Sequence, residues 1–367
     1  MKIGIDELMQ PIQIGDIILK NRVVMAPMTR NRADNEELAA NDLMATYYRQ
    51  RASAGLIISE GTFICPRARG YIRVPGIYTK EQINGWKKVT QAVHDEDGKI
   101  FAQLWHVGRI SHPDFHKGAL PLAPSAINPH FKSYTPLGFQ DTVCPKAMSA
   151  QEIKETINDF TIAAKNAMDA GFDGIELHAA NGYLFHQFFA TCANQRKDEY
   201  GGSVENRARF LMETLSAISE VVELKRVGLR LNPGLDHTFG ITKDENTTAT
   251  FHYIIQELNQ FPLAYLHITG FSKTDFFNQD DFLKEAKYYR SIYNGVLMLN
   301  KGFDAYSASE AIRAGIADLV SFGEPFIANP DLVKRMKNNW PLAEGDRKTY
   351  YTAGPNGYID YPNYDGT

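Results

Sequence analysis

Cysteine is nearly absent. The 367 residues hold only Cys65, Cys144 and Cys192, odd in number and far apart. No CxxC or metal-ligand spacing occurs, which excludes a disulfide framework and points to a reducing compartment, the cytoplasm. Long apolar runs are missing as well. None reaches the ~20 residues of a membrane span, and the N-terminal Met-Lys-Ile-Gly-Ile-Asp-Glu lacks the apolar core of a signal peptide. Charge of one sign is scarce. Thirty-nine basic against 43 acidic side chains leave −4, with both signs interspersed, which offers nothing to nucleic acid or an anionic membrane. No linker, low-complexity tract or solenoid repeat is present. No trio of His and carboxylate residues has metal-site spacing. No lysine sits inside a candidate strand, which disfavours a Schiff-base aldolase; Lys301, at a strand end, is the one exception to weigh. The expected partners are small molecules, and the expected assembly is a monomer or weak homodimer.

What is present is an alternation. Candidate strands are Arg22–Met28, Leu56–Glu60, Ile100–Trp105, Gly174–Leu177, Val227–Leu231, Ala264–Ile268, Val296–Leu299 and Leu319–Phe322. Helical patterns separate them: Ala40–Ser53, Lys80–Asp95, Ala150–Ala170, Ser203–Leu224, Asn246–Asn259, Asp281–Tyr293, Ala305–Ala314 and Pro330–Asn338. Ser149, with Glu152 three residues on, reads as a capping box, and Gly171 and Gly315 stand where helices should stop. Eight strands alternating with eight helices predict an α/β fold, a single-domain (β/α)8 barrel over 1–367. A doubly wound sheet is the alternative; the count of eight and the lack of any GxGxxG after a strand argue against it. Residues 1–21 predict an N-terminal β-hairpin, turning at Gly15-Asp16, that closes the barrel bottom. Residues 107–148, an insertion after the third strand, predict a lid or substrate wall.

The chemistry of such a barrel lies at the C-terminal strand ends. The fourth supplies His178, Asn181 and Tyr183. A His and an Asn three apart can aim two donors at one acceptor, and a phenol two residues later can supply a proton. Singly, each has an ordinary structural use; together, here, they favour polarisation of a carbonyl or nitro oxygen. The first strand ends at Ala26, Pro27 and Thr29, the second at Gly61, the third at Gln103 and Trp105. The fifth carries Arg230, a guanidinium that needs an anion or several acceptors. Lys301, Gly302 and Gly323 follow the seventh and eighth, the usual place for a phosphate. A Gln, a Thr hydroxyl, Arg230 and backbone amides could satisfy the edge of a heteroaromatic ring, with the glycine loops on its phosphate tail. His106, Arg109 and His112 read as ties for the long loop, and Arg196 to Arg207 as an ion-pair scaffold.

At these residues the chain resembles the Old Yellow Enzyme family of flavin ene-reductases. The resemblance is carried by Val24-Met-Ala-Pro-Met-Thr-Arg30, Gly55-Leu-Ile-Ile-Ser-Glu-Gly61, Ala102-Gln-Leu-Trp-His-Val-Gly-Arg-Ile-Ser-His112, Glu176-Leu-His-Ala-Ala-Asn-Gly-Tyr183, the stretch from Asn194 to Arg209, and Phe326-Ile-Ala-Asn-Pro-Asp331. It implies a TIM barrel with bound FMN and a ping-pong cycle. NAD(P)H, as NADPH or NADH, would reduce the flavin, and an electron-poor alkene would then take hydride from flavin N5. It implies cofactor contacts from Ala26, Pro27, Thr29, Gly61, Gln103, Arg230, Lys301, Gly302 and Gly323. It implies that His178 and Asn181 bind the substrate oxygen, that Tyr183 protonates the alkene carbon, and that Tyr71, Trp105 and Tyr358 line the substrate side. The substrates implied are α,β-unsaturated carbonyls, with nitroalkenes, nitrate esters and quinones as further acceptors. A narrower enone reductase for a larger cyclic substrate is the runner-up, decided by Pro113–Pro145 and the loop Gly270–Asp280. A ligand-binding barrel without turnover, and an aldolase or isomerase on this fold, are the rivals that bound flavin would separate. One position departs from the family: Glu324 stands where an Arg commonly grips the flavin phosphate. Lys301, where the family commonly has Gly, is the expected replacement cation, with Glu324 turned outward.

Overall fold

The computed structural model describes residues 4–270 and 278–366. Eight parallel strands form the barrel: β1 (Val23–Met25), β2 (Leu56–Ile58), β3 (Ile100–Trp105), β4 (Gly174–His178), β5 (Val227–Leu231), β6 (Tyr265–Thr269), β7 (Leu297–Asn300) and β8 (Leu319–Phe322). Each pairs with the next, and β8 with β1, so the sheet closes on itself. Residues Thr62–Phe63 form a further short strand on β3. Every residue of β2, β3, β4, β5, β6 and β8 is buried, as a parallel sheet with helices outside and side chains within requires.

The outer helices are α1 (Asp42–Gln50), α2 (Lys80–His94), α3 (Ala150–Asp169), α4 (Val204–Ser219), α5 (Thr247–Glu257), α6 (Gln279–Arg290), α7 (Ala305–Arg313) and α8 (Leu332–Asn338). All eight expected helices are present, most a few residues shorter than the apolar pattern because caps cut them. At α3, Ser149 and Glu152 form the full reciprocal box. Short helices at Leu184–Phe189 and Glu324–Ala328, after β4 and β8, were not anticipated. The first, Leu-Phe-His-Gln-Phe-Phe, is buried on every face, His186 and Gln187 included, so it carries no amphipathic period to read.

The N-terminal hairpin is present, Ile12–Ile14 against Ile17–Leu19. Its Ile14, Ile17 and Leu19 pack with Val24, Leu56, Ile58, Phe101, Met298 and Leu319 from the barrel interior. The hairpin thus plugs the N-terminal end and leaves the other end for a ligand. Residues 107–148 carry a second hairpin, Lys132–Thr135 against Gly138–Asp141. Arg109 ties this insertion down, donating to Ile127 O (3.3 Å) and, across to the loop after β5, to Gly240 O (2.8 Å). Of the loop Gly270–Asp280, residues 271–277 lie outside the described residues.

One buried carboxylate tests the packing at the β2 end. Glu60 is fully buried, and burial lifts its carboxyl from 4.5 to about 7 against the pull of Arg30, Tyr48 and Arg32. Between those two values the folded chain holds a proton that the unfolded chain has released. Stability therefore falls as pH rises through that window, by about 3 kcal/mol for such a shift. Thermal unfolding of Glu60→Gln should show a flatter pH dependence between pH 5 and 8 and a higher melting temperature at the alkaline end. A slope identical to wild type would remove Glu60 as its source.

Candidate active site

The C-terminal end of the barrel opens into a cavity of about 970 Å³. Its floor comes from the strand ends: Ala26, Pro27, Thr29, Gly61, Gln103, Trp105, His178, Arg230 and Gly323 all line it, with Asn181, Tyr183 and Lys301 from the loops. Tyr71 lines the same space. The sequence reading therefore converges at one place, except at two residues. Gly302 is exposed, and the wall at that loop is made by Asn300 and Lys301 instead. Tyr358 is not in the wall. It is fully buried, stacked on Tyr47 with centroids 4.0 Å apart and 8° between planes, beneath the guanidinium of Arg32 at 4.6 Å. The aromatic side chains that the C-terminal segment presents to the cavity are Tyr350 and Tyr351. No periodic pattern marks that segment, so adjacent tyrosines could not be ranked from sequence.

The β4 end is built to donate. Asn181 adopts φ +57° and Gly182 φ +80°, left-handed values that Asn tolerates and Gly takes without strain. This turn brings Asn181 back over the strand end. Asn232, at the end of β5, donates to Asn181 Oδ1 (2.9 Å), which leaves the Asn181 amide nitrogen as the group to offer a ligand. In His178, Nδ1 accepts the Ala180 amide N–H (3.4 Å). Burial first, then the charge of Arg230, holds this imidazole well below 6.5. A neutral ring accepting at Nδ1 carries its proton on Nε2 and is a second donor.

Behind these donors stands a phenol pair. The hydroxyls of Tyr183 and Tyr71 share a 2.9 Å hydrogen bond. Burial, then Tyr71, keeps the Tyr183 hydroxyl well above 10, and burial pushes Tyr71 up to about 12. Trp105 packs against both, stacked on Tyr71 at 5.1 Å and edge-on to Tyr183 at 4.8 Å. A Cβ at Gly61 would lie 2.4 Å from Trp105 Cε3, so only glycine lets the indole and the β2 end meet here.

The strand ends on either side of β4, Arg230 on β5 and Gln103 on β3, suit a planar heterocycle. Arg230 donates to Thr269 Oγ1 (3.2 Å) and Asn300 Oδ1 (2.9 Å), while its buried Nε has no partner among the described residues. The Asn31 Oδ1 atom, also at the cavity, is buried without a partner among the described residues. Gln103 donates to Glu176 Oε1 (2.8 Å), and the other oxygen of Glu176 meets His267 Nδ1 (2.8 Å), a buried network that fixes the amide of Gln103. An unpaired buried donor on a guanidinium, with an amide beside it, calls for a ligand edge rich in acceptors. The dioxopyrimidine edge of a flavin has that chemistry, and the donors fit it. Lys301, Gly323, Glu324 and Lys348 line the same cavity. Glu324 accepts from Arg347 (3.2 Å) and Tyr350 (3.1 Å), so its carboxylate is already engaged by the C-terminal segment.

Residues 7–343 match the model of the NADH:flavin oxidoreductase / NADH oxidase family. A Leishmania infantum protein named "Probable flavin mononucleotide-dependent alkene reductase" is 42% identical over 98% of both chains. The 12-oxophytodienoate reductase 1 of Oryza sativa subsp. japonica is 40% identical, over 97% of this chain and 92% of that one. Among solved structures, morphinone reductase in complex with tetrahydroNAD superposes with a TM-score of 0.90 at 43% identity, over 98% of both chains. The old yellow enzyme homologue from Zymomonas mobilis gives 0.92 at 38% identity, over 97% of this chain and 99% of that one. With these likenesses added to a cavity that fits a flavin, the chain belongs to the NADH:flavin oxidoreductase / NADH oxidase family, that of the old yellow enzymes, and is an FMN enzyme of the ene-reductase type with a nicotinamide reductant.

Proposed function

We propose that the enzyme reduces the C=C bond of α,β-unsaturated carbonyl compounds, with nitroalkenes, nitrate esters and quinones as further acceptors. FMN, when bound, supplies the hydride; the side chains supply the rest. The observation that carries the reading is the convergence of two neutral donors, His178 and Asn181, with the Tyr183–Tyr71 pair in one wall of the cavity. Hydride addition to the β-carbon builds negative charge on the carbonyl oxygen. Preorganised donors stabilise that charge by about 3 kcal/mol each when they are good ones. Tyr183 then delivers its proton to the α-carbon, and Tyr71 is placed to support the phenolate left behind.

The wall also bears on substrate size. Tyr134 and Phe139, cross-strand partners in the hairpin of the insertion, both line the cavity while remaining exposed, at 43% and 70%. An apolar platform of this kind at the mouth supports acceptance of bulky cyclic enones, such as an oxylipin-like cyclopentenone, as well as small ones. The test is direct. Kept anaerobic, the purified yellow protein should turn over NAD(P)H only when an enone such as 2-cyclohexenone is present, and phenols should give a long-wavelength charge-transfer band. Neither enone-dependent turnover nor a phenol band would discard the reading.

Lys301 is the cation we assign to the flavin phosphate. It adopts φ +107°, a value that favours glycine, and such strain costs about 1–3 kcal/mol. Lys301 lines the cavity beside the β7 end, and a charge-assisted bond to phosphate is worth about 1.5–3 kcal/mol. Lys301→Ala should weaken FMN binding about 10- to 100-fold on dilution or dialysis. Retention equal to wild type would show that Lys348 or backbone amides suffice.

A further inference from the structure

The cavity has a wall that the barrel does not provide. Lys348, Tyr350, Tyr351 and Thr352 line it from a C-terminal segment that lies beyond the 7–343 family match. After the short turn Arg347–Thr349, the described chain forms no further helix or strand. Its backbone carbonyls therefore have no ladder to satisfy them, and those that are buried need donors from elsewhere.

Those donors come from one side chain above all. Arg32 is fully buried and donates to the carbonyls of Thr349 (2.9 Å), Tyr350 (2.9 Å), Gly354 (3.3 Å) and Asn356 (3.1 Å), and to Thr352 Oγ1 (3.3 Å). Its guanidinium also covers the Tyr358 ring, 4.6 Å from the centroid. Arg30 reinforces it, donating to the carbonyls of Tyr350 (3.0 Å) and Gly357 (2.8 Å). Arg32 itself is not in the cavity wall, but it lies three residues beyond Thr29, which is. One loop after β1 thus sets both the floor of the cavity and, through Arg32, its C-terminal wall. That wall reaches the reacting groups: Tyr351 is close enough for its hydroxyl to add to the burial that raises both Tyr71 and Tyr183.

We propose that Arg32 is a positioning residue for this reaction, holding the segment that carries Tyr350, Tyr351 and Thr352 in place as the substrate-side wall through a fan of hydrogen bonds to the carbonyls of Thr349, Tyr350, Gly354 and Asn356 and to the Thr352 hydroxyl. This rests on the ene-reductase reading, since it takes the alkene to lie against that wall. The fork of a guanidinium is required; a lysine keeps the charge but has neither the five planar donors nor the face that covers Tyr358.

The test uses the FMN-loaded enzyme and the variants Arg32→Lys and Arg32→Gln. Both should keep their FMN. Both should show a raised KM for 2-cyclohexenone and a raised phenol Kd, about 10-fold for Gln and less for Lys, with kcat near wild type. Thermolysin should cut the segment after residue 344 faster in the same order. A fall in melting temperature with KM and phenol Kd unchanged would overturn the proposal, leaving Arg32 as scaffold alone. Should Arg32→Gln fail to fold, Arg32→Lys decides the matter by the same readouts. Should wild type neither turn over enones nor bind phenol, the ene-reductase reading falls by itself. The proteolysis comparison then judges the clamp, and unchanged cleavage overturns it.

Discussion

Tyr183→Phe should slow enone reduction by about 10²- to 10⁴-fold, the usual contribution of a positioned acid, while reduction of the enzyme by NAD(P)H stays close to wild type. In the proposed mechanism the two half-reactions separate because only the second needs a proton at carbon. The substitution is gentle on structure: the ring keeps its edge contacts with Trp105 at 4.8 Å and His178 at 5.0 Å, and its tilted contact with Phe239 at 5.5 Å. What is lost is the hydroxyl and its 2.9 Å bond to Tyr71. Burial and Tyr71 hold the Tyr183 hydroxyl well above 10, so the wild-type phenol is protonated through the whole working range, and the enone step should be flat in pH up to about 9. Stopped-flow traces of each half-reaction, taken separately, check both statements. An enone rate unchanged in the Phe variant would move the donor to Tyr71, already within reach, or to water.

How much of this could be read from the chain alone depends on what held each part in place. The barrel was legible because buried parallel strands are short apolar runs with helices between them, and the caps, such as Ser149 with Glu152, are local chemistry. The plug hairpin was legible for the same reason: alternation about Gly15-Asp16. His178, Asn181 and Tyr183 were legible because they follow a strand end within one loop. The unread parts are long-range. Nothing near Asn181 in sequence announces Asn232, 51 residues away, as the group that orients it. The bond between Tyr71 and Tyr183 spans 112 residues. The C-terminal wall is the clearest case. Its residues have no period, they are fixed by arginines more than 300 positions earlier, and the tyrosine chosen from sequence, Tyr358, turned out to be the ring those arginines cover. Glu324 was readable as a departure, but its partners Arg347 and Tyr350 again come from that same segment.

Removing the two donors proposed to face the substrate oxygen should have the other large effect. His178→Ala and Asn181→Ala should each lower kcat/KM for enones by about 10²- to 10³-fold and weaken the phenol charge-transfer complex, with FMN content unchanged. Because the proposal has both groups serve one oxygen, the double variant should lose less than the product of the two single losses, since the second donor is worth little once the first is gone. The charge state matters to the argument. A protonated His178 would bind a phenolate as an ion pair, but burial and Arg230 keep this imidazole neutral, well below 6.5. Phenol affinity should then show no step attributable to His178 between pH 6 and 8, and only the titration of the free phenol should appear. Orientation matters as well. Asn232→Ala leaves both donors in place and removes the 2.9 Å bond that turns the Asn181 amide nitrogen outward. It should therefore give a smaller loss in the same parameters, and one that vanishes in an Asn181→Ala background. If Asn232→Ala were as damaging in that background as alone, Asn232 would be acting on something other than Asn181, and the two-donor account of the site would have to give way.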